Sequence, residues 1–305
     1  MRHLATAAPR FLIRNTLHST ELRIVRSPGE SRKPSNDFAA FFLDKVRNIK
    51  TTIKQLIRCL HSDPLQSDAR HNGSVFTNIR PPTFKETLPV IRSMPSKSSP
   101  LDKIPTRALK SCPEMFAELI THLITLSFEE GKFPEMYKCV SVTPLLKKQE
   151  LDADLLSNYR PVSNLHTISK IVERVFMTRL PEHVKLSPNY NRFQSAYRRD
   201  HSAETALLSV ETVERYVYTA ADNEFKTVLV QLDLTAAFDI DISTLLCRLR
   251  YSFGISGPAL NWISSYVVGR TQFVRVGQEQ SPRTECEYNV EPLKKLKACR
   301  KLLLR

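Results

Sequence analysis

Residues 227–239 read Thr227-Val-Leu-Val-Gln-Leu-Asp-Leu-Thr-Ala-Ala-Phe-Asp239, and this stretch decides the predicted fold. Four apolar residues on alternate positions share one face of a predicted strand: Val228, Val230, Leu232 and Leu234. Asp233 lies on the opposite face, near the end of that strand. A carboxylate held at a strand end can ligate a metal ion, and the small Ala236 and Ala237 leave room for a ligand. The stretch therefore predicts a candidate metal site at Asp233.

The composition favours a basic globular protein with a polyanionic partner. A net charge of +14, from 45 Lys and Arg against 31 Asp and Glu, makes nucleic acid the first candidate. A basic surface without such a partner is the alternative. No run approaches the roughly 18 uncharged residues that a membrane span needs, so no membrane association is predicted. The 7 glycines exclude the common Gly-rich phosphate loops, and the 6 dispersed cysteines indicate reduced intracellular thiols rather than a zinc module.

The first part of the chain divides into a leader and a helical extension. Residues 1–35 are rich in arginine and have no acidic residue before Glu21, which predicts a disordered basic leader or a mitochondrial transit peptide. Residues 36–95 form a predicted N-terminal helical extension that begins with a basic amphipathic helix. The pattern Thr83-Phe-Lys-Glu86 is a capping box that opens a further helix, which Pro89 is expected to distort.

Two helices and two strands are predicted further along. The helix after Pro113 ends at Gly131, with an inward side predicted to hold Phe116, Leu119, Ile120, Leu123, Ile124 and Ser127. The helix around residues 167–180 has an apolar side, with an outward side predicted to hold Lys170, Glu173 and Arg174. Residues 140–146 and 271–276 are predicted strands.

Basic residues near turns are candidate anion-binding groups. Arg198 and Arg199 precede a helix that Ser202 is expected to cap, and exposed backbone N–H groups at a helix N-terminus favour anions. Arg160 precedes Pro161 and is therefore predicted in an extended turn. Lys147 and Lys148 follow the first predicted strand and are either solvated or directed at a phosphate backbone. Beyond Gly277 the pattern degrades into a basic tail, residues 278–305.

Several blocks, taken in order, resemble the reverse transcriptases of non-LTR (LINE-type) retrotransposons. The matching blocks are Val142-Thr-Pro-Leu-Leu-Lys-Lys148, Ser157-Asn-Tyr-Arg-Pro-Val-Ser-Asn-Leu165, Ser169-Lys-Ile-Val-Glu-Arg174, Phe193-Gln-Ser-Ala-Tyr-Arg198, His201-Ser-Ala-Glu-Thr-Ala-Leu207, Leu232-Asp-Leu-Thr-Ala-Ala-Phe-Asp239 and Phe253-Gly-Ile255. Their order and spacing make the resemblance specific. It runs from about residue 36 to Gly277, and the part before Ser96 matches most loosely.

The resemblance implies an α+β fold, with helix-rich fingers and the partial palm of a right-hand polymerase over residues 96–277. It implies that Asp233 is the first catalytic carboxylate and that the backbone of Leu234 completes a Mg²⁺ site. Two such ions would activate the primer 3′-hydroxyl and stabilise the leaving pyrophosphate. Phe238 matches the aromatic position that packs against the sugar of the incoming nucleotide. Three basic residues match finger positions near the triphosphate and the template: Arg198, Lys170 and Arg160.

The expected partners are an RNA template, a DNA primer and deoxynucleoside triphosphates, and the family implies a nuclear protein. The sequence departs from the family after Gly277, because the Gly-Val-Pro-Gln-Gly-Ser block and the Tyr-Ala-Asp-Asp turn are absent and no Asp-Asp pair occurs. We therefore expect a reverse transcriptase fragment, truncated after the first palm motif and inactive by itself. The alternatives are a non-catalytic RNA- or DNA-binding remnant or domesticated protein, and an unstable open-reading-frame fragment.

Overall fold

The computed structural model describes residues 34–60, 71, 73–97, 99–190, 201–202, 204–205, 218–220, 222–223 and 242–286. The strand predicted at 227–239, the leader up to residue 33 and the tail beyond residue 286 lie outside the described residues. The predictions for these segments, and the domain boundaries at 95/96 and 277/278, stay predictions.

The described residues form helices and a small mixed sheet, which confirms the predicted α+β class. The helices are α1 (Ser35–Leu60), α2 (Phe84–Arg92), α3 (Thr106–Ser111), α4 (Pro113–Glu129), α5 (Thr167–Phe176), α6 (Leu180–Lys185), α7 (Ile242–Tyr251) and α8 (Gly257–Val267). The strands are β1 (Val140–Leu146), β2 (Tyr159–Leu165), β3 (Thr271–Val276), β4 (Glu279–Gln280) and β5 (Thr284–Glu285). Both strands predicted within these residues, 140–146 and 271–276, are confirmed.

The sheet has the strand order β2-β1-β3-β4, and β5 also pairs with β3. β1 and β2 form an antiparallel hairpin, whereas β1 and β3 run parallel. A parallel pair needs a long crossover, and here the crossover contains α5 to α8. Short β4 and β5 then return antiparallel along β3.

Strand β2 was missed by the sequence analysis, which placed Arg160 in an extended turn because Pro161 follows it. In the structure Arg160 and Pro161 both lie within β2, and Pro161 lies opposite Pro144 of β1. Two prolines can face each other only at a non-hydrogen-bonded pair, because neither has an N–H group to donate. On its other side β1 pairs with β3 only through residues 140–142. The missing N–H group of Pro144 therefore costs no hydrogen bond between β1 and β3.

Helix α1 covers one face of the sheet. Phe38 and Phe42 are buried in a cluster with Val140, Val142, Leu165 and Val274. The Phe38 ring meets the Tyr159 ring edge to face, with 4.9 Å between the ring centroids. Since neighbouring residues of a strand point to opposite faces, the residues between these are directed away from α1.

The main core is built around Trp262 of α8, which is fully buried. Its ring stacks on Phe176 of α5 at 4.3 Å and meets Phe128 of α4 edge to face at 5.4 Å. The indole Nε1 donates a hydrogen bond of 2.9 Å to Ser127 Oγ, so the polar atom of the largest core side chain is satisfied. Trp262 and Tyr266 are both completely buried and are therefore packing residues.

Helix starts and stops follow the local sequence closely. The capping box forms, with the Thr83 N–H donating to Glu86 Oε2 at 2.9 Å, and α2 continues through Pro89 to Arg92. Gly131 has the left-handed φ of 61° that the predicted end of α4 requires. Among the described residues, no helix is long and apolar enough to cross a membrane.

Two side-chain orientations were predicted wrongly. Leu119, predicted inward, is 66% exposed, because α4 turns Ala117, Ile120 and Ile124 to the core instead. Glu173 was predicted to point outward but is buried, because other residues pack against most of the circumference of α5. Its carboxylate forms a hydrogen bond with the Tyr266 side chain.

Candidate nucleotide- and nucleic-acid-binding site

Two of the six predicted site residues, Arg160 and Lys170, lie in the described part of the chain. The other four, Asp233, Leu234, Phe238 and Arg198, lie outside it. Their roles stay predictions. Of the two described residues, Arg160 lies in β2 of the sheet and Lys170 lies at the start of α5.

Arg160 lies on the sheet face opposite α1. Its neighbour Tyr159 packs against Phe38, so alternation turns the Arg160 side chain to the other face, opposite Leu145 of β1. Arg160 is exposed and makes no hydrogen bond or ion pair within the described residues. An exposed guanidinium on an edge strand is available to a phosphate group, which it can bind through two parallel N–H groups.

The face that carries Arg160 is mixed, because its nearest neighbours there, Leu145 and Val162, are apolar and polar residues lie further along the strands. Ser141 and Thr143 of β1 share it with Arg160 and Asn164 of β2, and we call these four residues the polar sheet face. Asn164 Nδ2 donates to Thr143 Oγ1 at 3.1 Å. Ser141 Oγ is buried and has no hydrogen-bond partner within the described residues. One face of the sheet is therefore covered by α1, and the other carries apolar side chains, hydrogen-bonding groups and the exposed Arg160 guanidinium.

The loop between β1 and β2 is held by its own hydrogen bonds. The Lys147 N–H donates to Asn158 O at 2.9 Å, and its Nζ donates to Ser157 O at 2.8 Å. Asn158 Nδ2 donates to Asp152 O at 2.8 Å, which ties the far side of the loop. Lys147 therefore has a structural role in the hairpin, whereas Lys148 is exposed.

Lys170 lies in the first turn of α5 and is half-buried. Burial lowers the pKa of Lys170, the nearby Asp102 carboxylate opposes this shift, and Arg174 adds to it. The side chain therefore lies between a carboxylate and a second cation. The charge of Lys170 is partly balanced by Asp102, in contrast to that of Arg160.

Asp102 fixes the start of α5, and the sequence analysis did not single it out. Its carboxylate accepts hydrogen bonds from the Thr167 N–H at 2.7 Å, from Thr167 Oγ1 at 2.6 Å and from the Ser99 N–H at 2.8 Å. Burial opposes ionisation of Asp102, but hydrogen bonds from His166, Thr167 and Ser99 outweigh it and lower its pKa to about 2. The Ser99-Pro-Leu-Asp102 spacing is a local capping signal, but nothing in the sequence indicates a partner 65 residues away.

The described residues contain no group of three or more His, Cys, Asp or Glu side chains that could hold a metal ion. Asp233 and Leu234, the predicted Mg²⁺ ligands, lie outside those residues. The magnesium site stays a prediction.

Comparison with known proteins identifies the class to which this arrangement belongs. Residues 146–292 match the family model described as reverse transcriptase (RNA-dependent DNA polymerase). The matched region begins at the end of β1 and includes β2, which carries Arg160, and α5, which carries Lys170. The part of the chain that holds β2 and α5 is therefore similar to reverse transcriptases.

The relatives are named as proteins of mobile elements. The chain is 26% identical over 158 residues to the RNA-directed DNA polymerase from mobile element jockey of Drosophila melanogaster, covering 52% of this chain and 17% of that protein. It is 24% identical over 208 residues to a probable RNA-directed DNA polymerase from transposon BS of the same organism, covering 67% of this chain and 22% of that protein. It is 24% identical over 165 residues to a retrovirus-related Pol polyprotein from the type-1 retrotransposable element R2 of Popillia japonica, covering 54% of this chain and 22% of that protein. The chain thus spans about a fifth of the length of these relatives.

Proposed function

We propose that this chain supplies the fingers and part of the palm of an RNA-directed DNA polymerase and binds an RNA template paired with a DNA primer. The observation that carries the proposal is the match of residues 146–292 to the reverse transcriptase family. The names of the relatives support the same activity class.

The polar sheet face is the part of the described structure best suited to the template. Arg160 is exposed and makes no hydrogen bond or ion pair within the described residues, and the exposed Lys148 lies in the loop of the same hairpin. Phosphate contacts of this kind position a nucleic acid without reading its bases. The loop between the strands is fixed by internal hydrogen bonds, so the two cations are held on a rigid element.

In the proposed chemistry, Asp233 and the Leu234 carbonyl hold Mg²⁺, which would activate the primer 3′-hydroxyl and neutralise the leaving pyrophosphate. Phe238 packs on the sugar of the incoming nucleotide, and Arg198 and Lys170 lie near its triphosphate. A lone aspartate does not clamp two hard cations, and no Asp-Asp pair accompanies Asp233 in the printed sequence. We therefore expect the chain by itself to bind template–primer without extending it.

Primer extension tests this proposal directly. The wild-type chain and the Asp233→Ala variant are incubated with an RNA template, a labelled DNA primer, Mg²⁺ and deoxynucleoside triphosphates, and binding is measured in parallel. Binding by both proteins without extension is the expected result. Extension that Asp233→Ala abolishes would show that the chain needs no further carboxylates, and extension that survives the substitution would refute the role of Asp233.

A second candidate is a non-catalytic nucleic-acid-binding protein, and the net charge of +14 favours it. The two candidates differ in selectivity. A polymerase fingers surface should prefer an RNA–DNA template–primer to single-stranded RNA of equal length, whereas a merely basic surface should bind both with similar affinity at equal salt. Nuclear localisation belongs to the same proposal, and imaging of a tagged chain distinguishes it from mitochondrial import.

A further inference from the structure

Three large apolar side chains are exposed on the side of α4 that faces away from the core, next to the exposed His122. Met115, Leu119 and Leu126 are spaced four and seven residues apart and are 57%, 66% and 43% exposed. At 100° per residue these three side chains fall within about 40° of one another around the helix axis. We call them the outward α4 face.

The opposite side of α4 is fully used by the core. Six residues of that side are buried: Pro113, Ala117, Ile120, Ile124, Ser127 and Phe128. An amphipathic surface helix normally places polar residues opposite such a side, and α4 does so with Glu118, His122 and Glu129. The outward α4 face is an exposed apolar cluster bordered by these polar residues, which is typical of a protein interaction site. It lies before the residues matched by the reverse transcriptase family.

The charge beside this face is acidic, in contrast to the rest of the chain. Helix α4 contains Glu114, Glu118 and Glu129 and no lysine or arginine, whereas the whole chain has a net charge of +14. Glu114 is paired with Arg92 of α2. Glu118 and Glu129 are exposed on one flank of the outward α4 face, and Glu130 follows the end of the helix.

We propose that the outward α4 face docks a cationic amphipathic helix of a partner protein. The three apolar side chains supply the apolar contact for a helix that packs along α4, and their four- and seven-residue spacing matches the spacing of the apolar side of such a helix. Glu118 and Glu129 supply charge complementarity for lysine or arginine on the rim of the bound helix, which favours specificity and rapid association.

The same charges exclude two other occupants of this face. Nucleic acid carries one negative charge per phosphate, and the flanking glutamates repel it. Anionic membrane surfaces attract amphipathic helices that are rich in lysine and arginine, whereas α4 has neither. Docking at α4 is thus a different function from template binding at the polar sheet face.

The test uses the full chain and an amidated peptide made of leucine and lysine. The peptide is about 18 residues long, enough to span α4, and its leucines are placed at helical spacing. A scrambled peptide of the same composition controls for net charge, and a leucine–glutamate peptide with the same apolar side controls for hydrophobicity. Binding is measured by fluorescence anisotropy at two salt concentrations. The leucine–lysine peptide is expected to bind about tenfold more tightly than either control.

Two matched substitutions locate the binding site. Leu119→Lys is expected to weaken peptide binding at least about tenfold, whereas Leu186→Lys, at a leucine that is 75% exposed on another helix end, is expected to leave it unchanged. Both sites are exposed, so circular dichroism should show wild-type folding for each variant. Equal peptide binding by the wild type and Leu119→Lys would overturn the proposal, as would no preference for the lysine peptide. A wild-type dimer that Leu119→Lys converts to a monomer would also overturn it, in favour of a second copy of this chain.

Discussion

At the residue scale, the most constrained group is the buried guanidinium of Arg270. Its Nε donates to Tyr266 O at 2.6 Å, and its carbon Cζ lies 4.3 Å from the Tyr266 ring centroid and 5.4 Å from that of Phe133. Burial lowers the pKa of Arg270, while Tyr266 and Glu173 oppose that shift. Its two terminal nitrogens make no hydrogen bond within the described residues, so the aromatic faces and the Glu173 charge stabilise the cation.

We expect Arg270→Met to destabilise the fold by about 3 kcal/mol, because it leaves the Glu173 carboxylate buried without its neighbouring cation. Urea unfolding measures the change, with Arg283→Met at an exposed arginine as the matched control. The double variant Arg270→Met with Glu173→Leu is expected to recover part of the lost stability. A single variant as stable as the control would refute an electrostatic role for Arg270.

At the element scale, the start of α5 depends on Asp102. The Asp102 carboxylate accepts hydrogen bonds from two backbone N–H groups and one hydroxyl. The substitution Asp102→Asn replaces this carboxylate with an amide, which has hydrogen-bond donors as well as an acceptor. The pKa of Asp102 falls from 3.8 to about 2 in the folded chain. At about 1.4 kcal/mol per pKa unit, the charged form contributes roughly 2 kcal/mol at neutral pH.

The sign of this pH dependence follows from the lowered pKa of Asp102. A depressed carboxyl pKa contributes stability that is fully present above about pH 4 and is lost as the pH falls toward 2. The wild type should therefore exceed Asp102→Asn in unfolding free energy by a constant amount at pH 5 to 7, and the difference should shrink below pH 4. Urea titrations across this range measure it, with Asp152→Asn in the exposed hairpin loop as the control. A difference that does not change with pH would contradict the assignment.

The contact between α4 and α8 depends on one hydroxyl. Ser127 Oγ accepts a hydrogen bond from Trp262 Nε1 and donates one of 2.6 Å to Lys132 O. Ser127→Ala leaves the indole N–H buried without a partner, and we expect a loss of about 2 kcal/mol. The control is Ser111→Ala, whose hydroxyl bonds Arg107 O at an exposed helix end and should cost less than about 0.5 kcal/mol. Equal thermal unfolding midpoints for the two variants would contradict this role.

Local signals predicted the elements better than their surroundings. The Thr83–Glu86 capping box, the stop at Gly131 and the strand at 140–146 depend on neighbouring residues, and each was predicted correctly. Strand β2 was missed because its proline suggests a turn, and only the facing proline of β1 explains how the strand tolerates it. The burial of Glu173 and the exposure of Leu119 depend on which distant elements pack where, and helical periodicity alone does not contain that information.

For the candidate site, the sequence predicted which residues could bind a phosphate, and the structure shows which of them have no competing partner among the described residues. The family resemblance predicted both Arg160 and Lys170 as site residues. Arg160 makes no hydrogen bond or ion pair within the described residues, whereas the charge of Lys170 is partly balanced by the nearby Asp102 carboxylate. Asp102 has no recognisable motif partner, because its contacts to Thr167 join residues 65 positions apart. Long-range polar contacts of this kind become visible only in the folded chain.

At the scale of the whole molecule, the distribution of charge separates two surfaces with different partners. The chain carries a net charge of +14, and Arg160 of the polar sheet face lies within the residues that match the reverse transcriptase family model. The outward α4 face is flanked by glutamates. Polyanions should therefore bind the sheet side and release counterions as they do so, whereas a cationic helix should bind α4.

Counterion release makes the last prediction quantitative. The affinity of the chain for an RNA–DNA template–primer should fall as salt rises, and Arg160→Ala should reduce the slope of log affinity against log salt by about one, since one phosphate contact is lost. Arg92→Ala is the matched control, because Arg92 is neutralised by its ion pair with Glu114 and should leave the slope unchanged. Gel-shift titrations at several salt concentrations measure both slopes. Equal slopes for Arg160→Ala and the wild type would place the template on another surface, since an unpaired cation that contacts phosphate must change the number of ions released.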